Sequence, residues 1–271
     1  MDNKSTNTKQ IEEYLAPLSE LGIQKGDVLL VTSDITKLYK HYYRLYGERL
    51  TMDDIIDYLQ GLLGEEGTLL FPTYNWDYCN GETFDYHNTP GQTGSLGNAA
   101  LKRNDFKRTQ HPIYSFAVWG KDQALLCGMN NTSSFGADSP FAYFDRVHAK
   151  QLIIDVPMHI TNGMGFTYPH YVEQKSGVVQ YRYEKNFTAK YIDAEGKTEE
   201  RTYSMFVRSY ELETRNDFAP LHAYLRELGV EKHFCVNDIH YYMIDLHAAV
   251  DPIMDDVVNN KSRKFCIYKG Q

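Results

Sequence analysis

No stretch of this chain of 271 residues approaches the roughly 18 unbroken apolar residues of a membrane span. The N-terminus also lacks the apolar core of a signal peptide. Cysteine is sparse: Cys79, Cys127, Cys235 and Cys266 form no CxxC pair, which speaks against a zinc knuckle or a redox dithiol. Scattered cysteines of this kind suit reduced thiols in a cytoplasmic enzyme. Positive charge is in the minority, 28 Lys and Arg against 36 Asp and Glu, and the resulting balance of −8 is opposite in sign to that of a generic nucleic-acid binder. There is no HExxH metal motif and no GxSxG elbow, and Gly163-Met164-Gly165 lacks the third glycine of a dinucleotide loop. His159 belongs to no ligand pattern, so no metal is expected. No repeat, low-complexity block or Gly/Ser linker divides the chain. A single domain over residues 1–271 is expected, with the polar stretch 1–8 flexible.

What is abundant is tyrosine, 22 residues, a side chain suited to sugar faces and to protein interfaces, including one between copies of this chain. Short apolar runs at 27–33, 67–71 and 151–156 read as strands buried on both faces. Helical spacing covers 11–22, interrupted by Pro17, and 52–64, where Thr51 is a cap. A long polar and aromatic segment follows at 73–94, then a helix at 95–103 and a strand at 115–119. Residues 179–192 and 198–207 read as a hairpin, followed by a helix at 220–228, a strand at 233–236 and a final helix starting at Tyr242. Crossovers mixed with hairpins predict an α/β fold with a mixed central sheet flanked by helices.

The sharpest local feature is Thr167-Tyr168-Pro169-His170-Tyr171-Val172-Glu173. Threonine suits a helix cap and proline the first turn. His170 and Glu173 then share one helix face. An imidazole in the first turn meets the positive end of the helix dipole, which favours its neutral form, the form a general base requires. The same spacing also fits a surface or interface histidine beside a helix-stabilising glutamate.

Six blocks in order resemble the aminoglycoside 3-N-acetyltransferase family. They are Gly26 to Asp34; Gly67 to Thr73 with Phe84-Asp85, Thr89-Pro90 and Gly94; Arg108 to Gly120 with its His111-Pro112 step; Asp138 to Phe141; His170-x-x-Glu173; and Tyr181 to Lys185. The resemblance implies that family's own fold, distinct from the GNAT type, and direct acetyl transfer from acetyl-CoA to an amine. It implies His170 as base with Glu173 supporting it. It also implies backbone or hydroxyl donors for the thioester oxyanion. The pantetheine arm is expected along Ser33, Asp34, Arg108, His111, Tyr114 and Ser115, and the acceptor near Tyr74 and Asp77.

Three departures point away from an aminoglycoside. Thr32-Ser33-Asp34 stands where resistance enzymes usually carry His-Ser-Ser, the segment from Lys37 to Arg49 is basic and tyrosine-rich, and Phe166 replaces a frequent Asn. The segment could meet a nucleotide diphosphate through Lys37, Lys40 and Arg44, or be a solvated helix face with an aromatic stripe. The expected small-molecule acceptor is therefore an amino sugar, free or nucleotide-linked, as in family members found with surface-polysaccharide biosynthesis. The alternatives are an aminoglycoside, with antibiotic resistance as outcome, or a catalytically silent carbohydrate-binding member. The presence of both His170 and Glu173 argues against the last.

Overall fold

The computed structural model describes residues 2–157 and 165–269; His159 and Gly163-Met164 lie outside the described residues. Helix α1 (Asp2–Leu15) passes into a 3-10 turn over Ala16–Leu21. The helix predicted over 11–22 is thus divided where Pro17 enters, and Gly22 ends the turn at φ 84°. Strand β1 (Val28–Ser33) leads to α2 (Thr36–Tyr46) and α3 (Met52–Leu63). The cap predicted at Thr51 is a reciprocal box with Asp54: the Thr51 hydroxyl accepts the Asp54 amide at 3.1 Å, and the Asp54 carboxylate accepts the Thr51 amide at 2.7 Å. After β2 (Thr68–Pro72), the long segment holds a 3-10 turn (Asp77–Asn80) and β3 (Phe84–Asp85). Then come α4 (Ser95–Ala100), β4 (Lys107–Arg108), β5 (Phe116–Gly120), α5 (Gln123–Cys127), α6 (Pro140–Arg146) and β6 (Lys150–Ile154).

Helix α7 (Tyr168–Ser176) precedes the hairpin β7 (Arg182–Ile192) and β8 (Thr198–Arg208). The chain closes with β9 (Thr214–Asn216), α8 (Ala219–Glu227), β10 (Glu231–Val236), β11 (Ile239–Asp245), α9 (Leu246–Asn260) and β12 (Cys266–Tyr268). Tyr242 does not open the last helix. It lies in β11 opposite Ile153 of β6. Burial at Ile239, Tyr241 and Met243 alternates with period two, and helical spacing begins only at Leu246, after Asp245 caps Ala248 at 3.0 Å.

The main sheet runs β10-β11-β6-β1-β2-β5-β4. β6, β1 and β2 are parallel, and antiparallel strands flank them on both sides. Because strand residues alternate faces, the apolar run of β1 is split between two cores. Leu29 and Val31 join Leu69, Leu152, Ile154 and the buried sides of α2 and α3. Leu30 joins Leu70, Ile153, α6, α7 and α9 on the opposite face. Both faces are covered, as a parallel centre requires. Close packing extends to α4, where a Cβ on Gly97 would stand 2.5 Å from the Pro72 carbonyl. Two small sheets, β3-β7-β8 and β9-β12, complete the fold.

Candidate active site

Helix α7 belongs to the second core, and every side chain from Tyr168 to Glu173 is buried. Pro169 occupies its first turn, and Gly177 at φ 69° ends it. Thr167 sits at the cap position in helical backbone geometry and makes no side-chain cap bond. Its hydroxyl instead pairs with the buried Tyr74. The chain reverses after Gly177, so that Tyr181 and Arg182, at the start of β7, meet the helix face bearing His170 and Glu173.

His170 Nδ1 lies 2.7 Å from Glu173 Oε2. The Tyr181 hydroxyl donates to Glu173 Oε1. Arg182 Nε is 3.2 Å from Glu173 Oε2, within ion-pair range. On the other edge of the ring, His170 Nε2 faces the donors Arg182 Nη2 at 3.3 Å and Asn216 Nδ2 at 3.5 Å. Two donors at Nε2 and a carboxylate at Nδ1 assign the tautomer: Nδ1–H donates to Glu173, and Nε2 carries the lone pair. Burial lowers the His170 pKa to about 4, with the Arg182 charge adding to it and Glu173 opposing. The imidazole is therefore neutral at pH 7, and its link to Glu173 is a hydrogen bond to a carboxylate rather than an ion pair. Burial pushes Glu173 up, but His170, Arg182 and Tyr181 outweigh it and hold the carboxyl below its usual range.

His170 opens onto a cavity of about 650 Å³ lined also by Trp76, Cys79, Tyr114, Arg182 and Asn216. A second cavity of about 280 Å³ lies at the carboxyl ends of β1 and β2, lined by Ser33, Asp34 and Gly94 among others. β1 is bordered by β2 on one side and β6 on the other, so the smaller cavity sits at the switch point where open α/β sheets take ligands. Thr32, which lines the smaller cavity, donates to Gly165 O at 2.9 Å, and Thr167, two residues on, lines the larger one.

The comparisons with known proteins fit this architecture. A family model, aminoglycoside 3-N-acetyltransferase, matches residues 43–256. This chain belongs to that family. Among solved structures, AAC-IIIb in binary complex with CoASH aligns over 92% of this chain and 96% of its own, at 17% identity and TM-score 0.73. The YokD protein from Bacillus subtilis aligns over 94% of each chain, at 21% identity and TM-score 0.72. Sisomicin-bound AAC-VIa aligns over 92% and 97%, at 18% identity and TM-score 0.71. At these identities the likeness is one of fold. No curated protein sequence matches significantly.

Within this aminoglycoside 3-N-acetyltransferase fold the residues singled out from sequence fall into three places. His170 and Tyr114 line the large cavity, and Glu173 stands behind His170, fully buried. Ser33 and Asp34 line the small one, with Asp34 Oδ1 accepting the Thr36 amide at 2.9 Å. Arg108, His111 and Ser115 are at most 1% exposed and line neither. Arg108 donates to Ser115 Oγ, Thr89 O and Thr73 O, which staples the 73–94 segment to the sheet. His111 Nδ1 accepts the Ile113 and Tyr114 amides at 3.3 and 3.1 Å, and burial lowers its pKa to about 3. Tyr74 is buried against Tyr114 and Phe116, while Asp77 is exposed, and neither lines the cavity; Trp76 and Cys79 of the same turn do.

Tyr181, Arg182, Asn216 and Arg208 join the site without a catalytic or binding role being legible for them in the sequence. Arg182 is 12 positions from His170 and Asn216 is 46, so only the block Tyr181 to Lys185 offered a signal. In α2, Leu38 and Tyr42 are buried, and Tyr42 packs on Tyr14 and Tyr46. Lys37 pairs with Asp155 at 3.1 Å and Asp238 at 3.5 Å, and Lys40 and Arg44 are exposed. None of these three cations lines the cavity at His170. Among the described residues no group of three or more His, Cys, Asp or Glu could hold a metal ion, and no helix is long and apolar enough to cross a membrane.

Proposed function

We propose that this protein is an acetyl-CoA-dependent N-acetyltransferase acting on the amine of an amino sugar, with His170 as general base. The observation that carries this reading is the neutral imidazole whose Nδ1–H is held by Glu173, on a side chain that lines a cavity of about 650 Å³ together with Arg182 and Asn216, the donors at its Nε2. Family membership supports the reaction class. Acetyl-CoA would supply the acetyl group as a thioester, with the small cavity at Ser33 as the candidate place for its pantetheine arm.

The acceptor amine, approaching Nε2, replaces the long contacts from Arg182 and Asn216 and gives its proton to His170. Glu173 fixes the ring through Nδ1 and stabilises the imidazolium as it forms, while Tyr181 and Arg182 hold Glu173 in place. Cys79 lies on the same cavity, but burial pushes its thiol up to about 11, so it stays protonated at neutral pH and is a poor nucleophile. That favours direct transfer over a cysteine-bound intermediate.

The amino-sugar acceptor, of the kind used in surface polysaccharides, stays within this proposal, as does a nucleotide-linked form. An aminoglycoside is the second reading, since an AAC-VIa structure of this fold is described as bound to sisomicin. Thiol release from acetyl-CoA, measured with aminoglycosides and nucleotide-linked amino sugars, tests both. Release should fall by about 10²–10⁴ in His170→Ala, with CoA binding retained. Near-normal release in that variant would remove His170 from the role of base.

A further inference from the structure

The charged groups beside His170 that face the cavity are of one sign. Arg182 and Arg208 stand directly opposite each other in the β7–β8 ladder. Like charges facing across an antiparallel pair oppose the pairing. Arg182 is offset by Glu173, but Arg208 meets no carboxylate within ion-pair range among the described residues; its Nη1 donates to Thr214 O at 2.8 Å. Burial and the neighbouring Arg182 both press against the Arg208 charge, and the more distant Glu173 offsets them only in part. Lys185, further along β7, lines the same cavity with its ammonium 5.2 Å from the Phe187 ring centre, again with no acidic partner in range. No Asp or Glu is among the described residues of the cavity wall. A fold that places two arginines opposite each other and leaves one unmatched has kept positive charge available for something that binds.

We infer that the acceptor is an anionic amine, an amino sugar bearing a phosphate or carboxylate, whose anionic group is held by Arg182 and Arg208, with Lys185 adding positive charge further along the same wall, while its nitrogen meets His170 Nε2. This rests on the acetyltransferase reading above and names the acceptor's class. Guanidinium groups suit such oxygens because they donate two parallel hydrogen bonds. A polycationic acceptor would meet repulsion at the same wall. CoA also carries phosphates, but the whole pantetheine arm separates them from its sulfur. Arg182 Nη2 stands 3.3 Å from the base nitrogen, so an anion held there lies beside the reacting amine. Trp76, Tyr183 and Tyr210 offer ring faces on the same cavity for the rest of the acceptor.

Trp76 supplies a readout independent of catalysis. The chain has 2 tryptophans, and Trp119→Phe leaves Trp76 as the only one. In that background we would titrate glucosamine, glucosamine 6-phosphate, uridine diphosphate-glucosamine and inorganic phosphate. At least one phosphorylated amino sugar should bind about tenfold or more tighter than glucosamine. That advantage should shrink about tenfold in Arg208→Gln and in Lys185→Gln, and largely persist in Arg208→Lys, which keeps the charge. If no anionic ligand binds better than glucosamine, or if both Gln variants bind as wild type does, the inference is overturned. It is also overturned if the variants weaken CoA, spare dephospho-CoA and leave the sugar phosphates unchanged, because the cations would then serve the donor. Thiol release on the same samples separates the two levels. Tight, charge-dependent binding without thiol release from any amine would leave the anion site standing and overturn the transferase reading.

Discussion

Two buried histidines in this protein share one bonding pattern, and of the two His170 lines the large cavity while His222 lines neither of the cavities described above. His170 Nδ1 is 2.7 Å from Glu173, which is also paired with Arg182. His222 Nδ1 likewise bonds Glu231, which is paired with Arg226 at 2.6 Å. His222 is 1% exposed, however, with its ring against Phe166 and Tyr242 and its Nε2 buried without a partner. It lines neither the large nor the small cavity. A histidine–carboxylate–arginine set is therefore no mark of catalysis by itself. In the His222 set it ties α8 to β10. In the His170 set the ring lines a cavity, and the two donors at its Nε2, Arg182 and Asn216, line the same cavity.

The largest effect that sharpens this contrast concerns the two carboxylates. Glu173→Gln takes away the acceptor that fixes the His170 tautomer, and should cost on the order of 10²-fold in turnover. Glu231→Gln should leave the turnover of folded protein within a few-fold of wild type. In urea titrations it should instead lower stability by about 1–3 kcal/mol, the range for disturbing a buried hydrogen-bond set. Equal turnover losses would dissolve the distinction.

The next effect is on pH dependence. Because the Arg182 charge helps to lower the His170 pKa to about 4, Arg182→Gln should move the acid limb of kcat/KM to higher pH. An unmoved limb would mean that the limb reports another group. Stability has an acid dependence of its own. His170 and His111 are held neutral in the fold, at about 4 and about 3, and both take up a proton near 6.5 in the unfolded chain. Their contribution is complete above 6.5 and declines as pH falls below it, which denaturant midpoints between pH 7 and 4 should show in wild type. The slope should be shallower in His170→Gln. The smallest effect lies on the opposite face of the sheet, at the α3 cap. Thr51→Ala should cost about 0.5–2 kcal/mol in thermal or urea unfolding and leave turnover unchanged.

The same contrast explains what was legible in the sequence. The pair His170 and Glu173 is local, three residues apart on one helix, so spacing alone revealed it. His222 and Glu231 are nine apart across a turn, and Arg182 reaches His170 only because the chain reverses after Gly177, so no periodicity connects them. The strands β1, β2 and β6 were readable because burial on both faces demands unbroken apolar runs. β11 was missed because its alternation runs directly into the apolar spacing of α9. Polar residues were the hardest to place. Arg108, His111 and Ser115 stood in blocks that resemble the family and suggested ligand contact, yet the fold uses their polar atoms to satisfy its own buried backbone. Arg208 carried no sequence signal, because the unmatched charge that makes it notable exists only in the paired strands.

Access to the cavity, rather than the histidine–carboxylate bond, is what we propose makes His170 the base. The most direct test is thiol release from acetyl-CoA by His170→Ala and His222→Ala, compared at equal concentrations of folded protein with an acceptor that wild type uses. We expect the first variant to lose about 10²–10⁴ in kcat and the second to stay within a few-fold of wild type. Loss of turnover in His222→Ala with retention in His170→Ala would contradict the account.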